Sequence, residues 1–330
     1  MRVPAFYGCG EANMDAPQHS EIFEMTSLFP SSLSPFRMIH MPIIARAITD
    51  EIIQSIRAGW TREVEIIGRG GGGTTTTTQN MSRLAKALSD PKCRLNRICI
   101  TYNSLTDECL RVFVSELPSR PCSLVDLDFQ GNGITDSGAM ILSKGNLQHQ
   151  HLKHLNLSHN YIGDTGAHFL SSIVKNLIHF DISNNQIGPG AQWLIGPQKL
   201  YIGWNNIGDE DLKEMMTKGG GGEGGEESNL EELDLEGNKL RDPGAFVLVD
   251  VISKNSKLSK LNVSWNDIGF SGIHSLANTR MILKSYELTT EGNRLEVEEE
   301  TIITRMLFGS RLGDAFPHSR PSDLHSLHGR

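Results

Sequence analysis

The chain repeats itself. A phrase of the form Leu-x-x-Leu-x-Leu-x-x-Asn-x-Ile-x-Asp-x-Gly recurs with drift, and its Asn falls at 103, 132, 160, 185, 205, 238, 266 and 293. The fullest copies run from Leu152 through Leu155, Leu157, Asn160, Ile162 and Asp164 to Gly166, and from Leu230 through Leu233, Leu235, Asn238, Leu240 and Asp242 to Gly244. A unit of this size cannot bury its apolar face alone, so neighbouring units must stack. The pattern predicts an elongated array with one long binding face, not a core wrapped around a reaction centre.

Within one copy, Leu155 and Leu157 are two apart and point to the same side of a short strand. Asn160 ends the strand. Its amide both donates and accepts, so it is expected to bond the loop backbone. Stacked copies then form a ladder of Asn103, Asn132, Asn160, Asn185, Asn205, Asn238, Asn266 and Asn293. Ile162 turns inward, and Asp164 is expected to cap the helix that follows. Ala167, Leu170 and Ile173 give that helix one apolar face.

The intervals between the Asn residues are 29, 28, 25, 20, 33, 28 and 27. Lengths near 28 leave room for a full helix. Two copies also open Cys-x-Leu-x-x-Leu/Ile, at Cys93-Arg-Leu95-Asn-Arg-Ile98 and Cys122-Ser-Leu124-Val-Asp-Leu127. With these features the chain resembles the ribonuclease-inhibitor type of leucine-rich repeat over about residues 93–300. That type is also found in nucleotide-binding leucine-rich-repeat receptors and in the Ran GTPase-activating protein. The resemblance implies an α/β leucine-rich-repeat solenoid, a horseshoe with parallel strands on the concave face and helices on the convex face. It is specific for fold and not for function.

The organisation expected is an irregular N-terminal cap or disorder at 1–45, degenerate repeats with a Gly/Thr insertion at 46–92, the repeat domain at 93–308, and a flexible tail at 309–330. Ala47 to Ile56 and Val64 to Leu88 read as two weak early repeats. The Gly/Glu insertion at 219–227 and a terminal helix belong to the main domain. The short interval before Asn205 leaves roughly two helical turns at most, with Pro189 where Asp is usual. Gly68-Arg-Gly-Gly-Gly-Gly-Thr74 has the glycines of a phosphate-binding loop but lacks its Gly-Lys-Ser/Thr ending, so it reads as loop expansion.

Net charge is -8, which gives no general attraction to nucleic acid. No apolar run is long enough to span a bilayer, and the N-terminus lacks the apolar core of a secretory signal. A cytoplasmic protein with free thiols is expected. Cysteine spacing offers no metal site. Among His149, His151, His154 and His159, only His154 has a same-phase neighbour, His179, with Asp181 close by. A metal site there is weighed against ordinary polar residues on a sheet, and the second reading is preferred. No catalytic residue, cofactor or metal is expected.

Side chains between the buried leucines face the open side of the sheet. One residue before each Asn stand Tyr102, Gly131, His159, Asn184, Trp204, Gly237, Trp265 and Gly292. Four before stand Cys99, Asp128, Asn156, Asp181, Tyr201, Asp234, Asn262 and Thr289. Large rings and a surplus of acids on an open surface suit a protein interface. The docking residues expected are Tyr102, Asp128, Asp181, Tyr201, Trp204, Asp234, Glu236 and Trp265. The function expected is an intracellular, non-enzymatic scaffold or adaptor that binds another protein with a basic surface, and neither nucleic acid nor membrane. The alternative is a GTPase-activating regulator resembling the Ran GTPase activator. The mixed, His-bearing tail counts against it, since that family usually carries an acidic one.

Overall fold

The computed structural model describes residues 42–68, 76–119, 122–145, 151–219, 229–283 and 286–308. The chain divides into two compact units, Met1–Arg37 and Met38–Arg330. The first lies outside the described residues, as do the expected tail, His149 and almost all of both glycine-rich insertions.

The second unit is a solenoid in which strand and helix alternate. Its strands are β1 (Ile43–Ala45), β2 (Glu63–Ile67), β3 (Arg97–Thr101), β4 (Asp126–Asp128), β5 (His154–Asn156), β6 (His179–Asp181), β7 (Lys199–Tyr201), β8 (Glu232–Asp234), β9 (Lys260–Asn262) and β10 (Glu287–Thr289). They form one ten-stranded parallel sheet in sequence order. The helices are α1 (Asp50–Arg57), α2 (Thr78–Leu88), α3 (Asp107–Ser115), α4 (Asp136–Lys144), α5 (Asp164–Val174), α6 (Asp209–Gly219), α7 (Asp242–Lys254), α8 (Phe270–Leu283) and α9 (Val297–Phe308). The short repeat carries only a 3-10 turn, Pro189–Trp193, between α5 and α6.

The register explains the core. Leu127, Leu155, Phe180, Leu200, Leu233, Leu261 and Leu288 pair in one row across β4 to β10. All seven are buried. The helices close this layer from the other side. In α5, Ala167, Leu170, Ile173 and Val174 are buried. Burying a Leu- or Ile-sized side chain contributes roughly 1.5–3 kcal/mol, and stacking adds it repeat by repeat.

The ladder asparagines from Asn103 to Asn266 are buried too, and Asn293 at the end is half-buried. Asn160 accepts from Ile134 N at 3.1 Å in the preceding repeat and donates to Phe129 O, Leu157 O and Ser158 O. Asn132, Asn185, Asn205, Asn238 and Asn266 each accept from a backbone N–H of the preceding repeat in the same way.

Asp164 corrects an expectation. It does not cap its own helix: the N-cap is Gly163, with no side-chain cap bond. The carboxylate instead reaches into the next repeat, where Oδ1 accepts from Gly188 N at 2.8 Å and Gly190 N at 2.7 Å. The first-turn aspartate therefore holds repeats together, at a position where N–H groups are left over and negative charge is favoured.

Candidate protein-docking face

From β4 to β10 each three-residue strand buries its middle residue and turns the flanking two toward the open face. One row of that face is Arg97, Asp126, His154, His179, Lys199, Glu232, Lys260 and Glu287, in register across β3 to β10. The bases in it pair with neighbouring acids. Arg97 lies 3.9 Å from Asp126, while Lys199 and Lys260 lie 2.6 Å and 3.6 Å from Glu232. His179 stacks on Tyr201 with ring centroids 4.8 Å apart, and His154 lies beside it at 6.1 Å. Tyr201 donates its hydroxyl to Glu232 at 2.6 Å. Among the described residues, no group of three or more His, Cys, Asp or Glu is placed to hold a metal.

Burial in this row moves proton affinities. Loss of solvent pushes the Asp126 carboxyl up to about 6, against the pull of Arg97. It lowers His179 to about 4, helped by neighbouring His154 and Lys199. Burial, followed by the hydrogen bond to Glu232, raises Tyr201. Burial also acts on Glu232, but its bonds from Lys199 and Tyr201 outweigh it and hold the carboxyl below its usual range.

The second row departs from the expectation of free docking acids. Asp128 is only 5% exposed. Asp128, Asp181 and Asp234 turn back on their own loops and accept from the N–H two residues on: Gln130 at 3.1 Å, Ser183 at 2.9 Å and Glu236 at 2.9 Å. Asn156 and Asn262 do the same for Ser158 and Ser264. These are Asx turns that end each strand. Asn156 is therefore not an inert surface residue. Burial also raises Asp181 to about 6, despite its bonds from Ser183.

The column just before each Asn carries the exposed rings. Tyr102, Trp204 and Trp265 are 39%, 48% and 56% exposed. Their backbones are left-handed, with φ of 52°, 53° and 55°. Each ring lies over the glycine at the same position of the next repeat. A Cβ on Gly131 would come 2.3 Å from the Tyr102 ring, on Gly237 2.4 Å from the Trp204 ring, and on Gly292 2.6 Å from the Trp265 ring. The glycines were the residues that reading one repeat at a time missed. The column down the chain carries the signal, because Tyr102, Trp204 and Trp265 are each followed by glycine in the next repeat. Glu236, the remaining expected docking acid, accepts from Asn262 at 2.9 Å.

Comparison with known proteins follows this geometry. A leucine-rich-repeat model matches residues 120–143, 148–171, 198–216, 227–249 and 254–277. The chain is a leucine-rich-repeat protein. It is 28% identical over 235 residues to ribonuclease inhibitor of Sus scrofa, a match that covers 67% of this chain and 51% of that one. It is 26% identical over 196 residues to NACHT, LRR and PYD domains-containing protein 3 of Rattus norvegicus, covering 59% of this chain and 17% of the relative. The repeat protein thus spans about half the length of the first relative and a small part of the second. A crystal structure of an internalin from Listeria monocytogenes aligns with a TM-score of 0.48 at 18% identity, covering 79% of this chain and 68% of that one. No helix among the described residues is long and apolar enough to cross a membrane.

Proposed function

We propose that this leucine-rich-repeat protein binds another protein through the open face of its sheet, as a scaffold or adaptor without catalytic chemistry of its own. The observation that carries the reading is the seating of Trp204 and Trp265. An indole in bulk water loses contact area, yet each of these is held up by backbone and left half exposed. Large, rigid, pre-positioned rings are the residues that dominate binding energy at interfaces. Tyr102 shares their column, and Tyr201, Asp128, Asp181, Asp234 and Glu236 form the polar ground around them. The strands carry Glu63, Glu65, Asp126, Asp128, Asp181, Glu232, Asp234 and Glu287 against Arg97, Lys199 and Lys260, which favours a partner with a basic surface. Ribonuclease inhibitor of Sus scrofa is, by its name, a protein that acts on another protein. The same reading places the protein in the cytoplasm. Cys93, Cys99, Cys109 and Cys122 are thiols, the state a reducing compartment maintains.

The test is a titration of wild-type and variant protein with a partner recovered by affinity capture. Trp204→Ala and Trp265→Ala should each weaken binding by at least about 2 kcal/mol. Their far-ultraviolet circular dichroism should stay that of the wild type. Variants that fold and bind normally would remove the open face from consideration.

A further inference from the structure

Trp204 and Trp265 belong to two copies of one device. Trp204 lies over Gly237 and donates its backbone N–H to Glu236 O at 2.5 Å, while Trp265 lies over Gly292 and donates to Glu291 O at 2.7 Å. The same ring atoms, Cδ2, Cε3 and Cε2, meet the glycine in both, so the two indoles share one pose. Each is thus an exposed ring bonded through its backbone to a glutamate of the next repeat, and the Glu236 carboxylate also accepts from Asn262 at 2.9 Å. They stand two strands apart (β7 and β9), a separation of about 10 Å at about 4.8 Å per strand step.

We propose that this pair docks a proline-rich segment in the polyproline II conformation that carries a basic residue once per turn. The inference rests on the open-face reading and names the partner's chemistry. A polyproline II helix has three residues per turn and rises about 3.1 Å per residue, so it repeats every ~9 Å. That matches the spacing of the two devices. Prolyl rings stack on exposed aromatic faces, and a basic side chain on each turn meets Glu236 and then Glu291. An extended strand does not fit, because residues three apart point to opposite sides. An α-helix repeats a face at a similar distance over seven residues. Its carbonyls are satisfied internally, whereas those of polyproline II remain open to an indole N–H.

Fluorescence anisotropy of the full chain with labelled peptides tests this. One peptide has four Pro-Pro-Arg units and the other four Gly-Ser-Arg units, with equal charge. The proline peptide should bind at least about tenfold tighter. Trp204→Ala, Trp265→Ala, Glu236→Lys and Glu291→Lys should each weaken it by roughly tenfold. Trp193→Ala, on the helix side, should not. Equal binding of the two peptides, still weakened by the tryptophan substitutions, would overturn the polyproline assignment and leave open-face docking standing. Binding that ignores those substitutions would overturn both. Failure of both peptides to bind would overturn the polyproline assignment alone.

Discussion

Asp136 and Gly166 lock neighbouring repeats together. Oδ1 of Asp136, at the start of α4, accepts from Gly166 N at 3.0 Å and Gly163 N at 2.7 Å. A Cβ on residue 166 would sit 2.5 Å from that oxygen. The carboxylate of one repeat therefore requires the glycine of the next. The rule holds at Asp107 and Gly138, Asp164 and Gly190, Asp209 and Gly244, and Asp242 and Gly272, where the built Cβ comes within 2.3 to 2.8 Å of the aspartate oxygen. It also holds where the pair is missing. Pro189 replaces the Asp and Asp211 the following Gly; Phe270 replaces the Asp and Glu299 the following Gly.

Gly166→Ala should destabilise the protein by about 2 kcal/mol or more through overpacking against Asp136. Asp136→Ala should cost roughly 1–3 kcal/mol by leaving two N–H groups without an acceptor. The double variant should cost less than the sum, because the clash disappears with the carboxylate. Urea melts of the three proteins read this directly, and strict additivity would mean that the two residues do not act through each other.

Asn160→Ala should cost roughly 1–3 kcal/mol, since buried groups such as Ile134 N and Phe129 O lose their partner. Asn206→Ala, an exposed side chain next in line to the ladder, should stay within about 0.5 kcal/mol. Matching melts for both variants would contradict a ladder that bears load.

Gly237→Ala should uncouple fold from binding. Its φ is +63° and a Cβ would displace the Trp204 ring. A cost of roughly 1 kcal/mol from the left-handed backbone is expected, with a larger loss of partner affinity as the indole leaves its seat. Unchanged affinity would show that the ring's pose is not what a partner reads.

Acid has opposing effects on stability. The folded Asp181 carboxyl titrates near 6, against an ordinary 3.8. The folded chain therefore holds that proton more tightly than the unfolded chain. The stability this contributes is full below about pH 4 and is lost as pH rises through 6. Asp181→Asn, which keeps an acceptor for Ser183 N, should raise the melting temperature at pH 7.5 and change it little at pH 4. His179 works the other way. Its folded value near 4 lies below the ordinary 6.5, so its contribution is lost as pH falls through that window. Melting curves of the Asn variant that run parallel to wild type from pH 4 to 8 would show that burial does not shift this carboxyl.

The buried leucine row and the helices were legible because their periods, two and about three and a half, are local and each copy repeats the evidence. The open face was legible only in part. Asp128, Asp181 and Asp234 read as surface acids when charge is the criterion. The alternation of Asp with Asn at that position (Asn156, Asn262) was the better signal, because both side chains close the same turn and only one is charged. Asp164 failed for a related reason: a first-turn aspartate is ordinarily explained within its own helix, and its partner glycine lies 26 residues away. The stacking of His179 on Tyr201 required knowing that β6 and β7 are neighbours in register.

The glycine seats constrain how such a chain can lengthen. Duplicating the repeat of Trp265 alone would set one indole where the next repeat's own indole-bearing residue must pass, in a left-handed turn with no room for a Cβ. Duplicating it together with its glycine-bearing successor would add one more ring, in the same pose, at the same interval. Beside these indoles the unit of growth is therefore a couplet of repeats, whereas next to the smaller imidazole of His159 the column accepts Asn184 in the same left-handed turn.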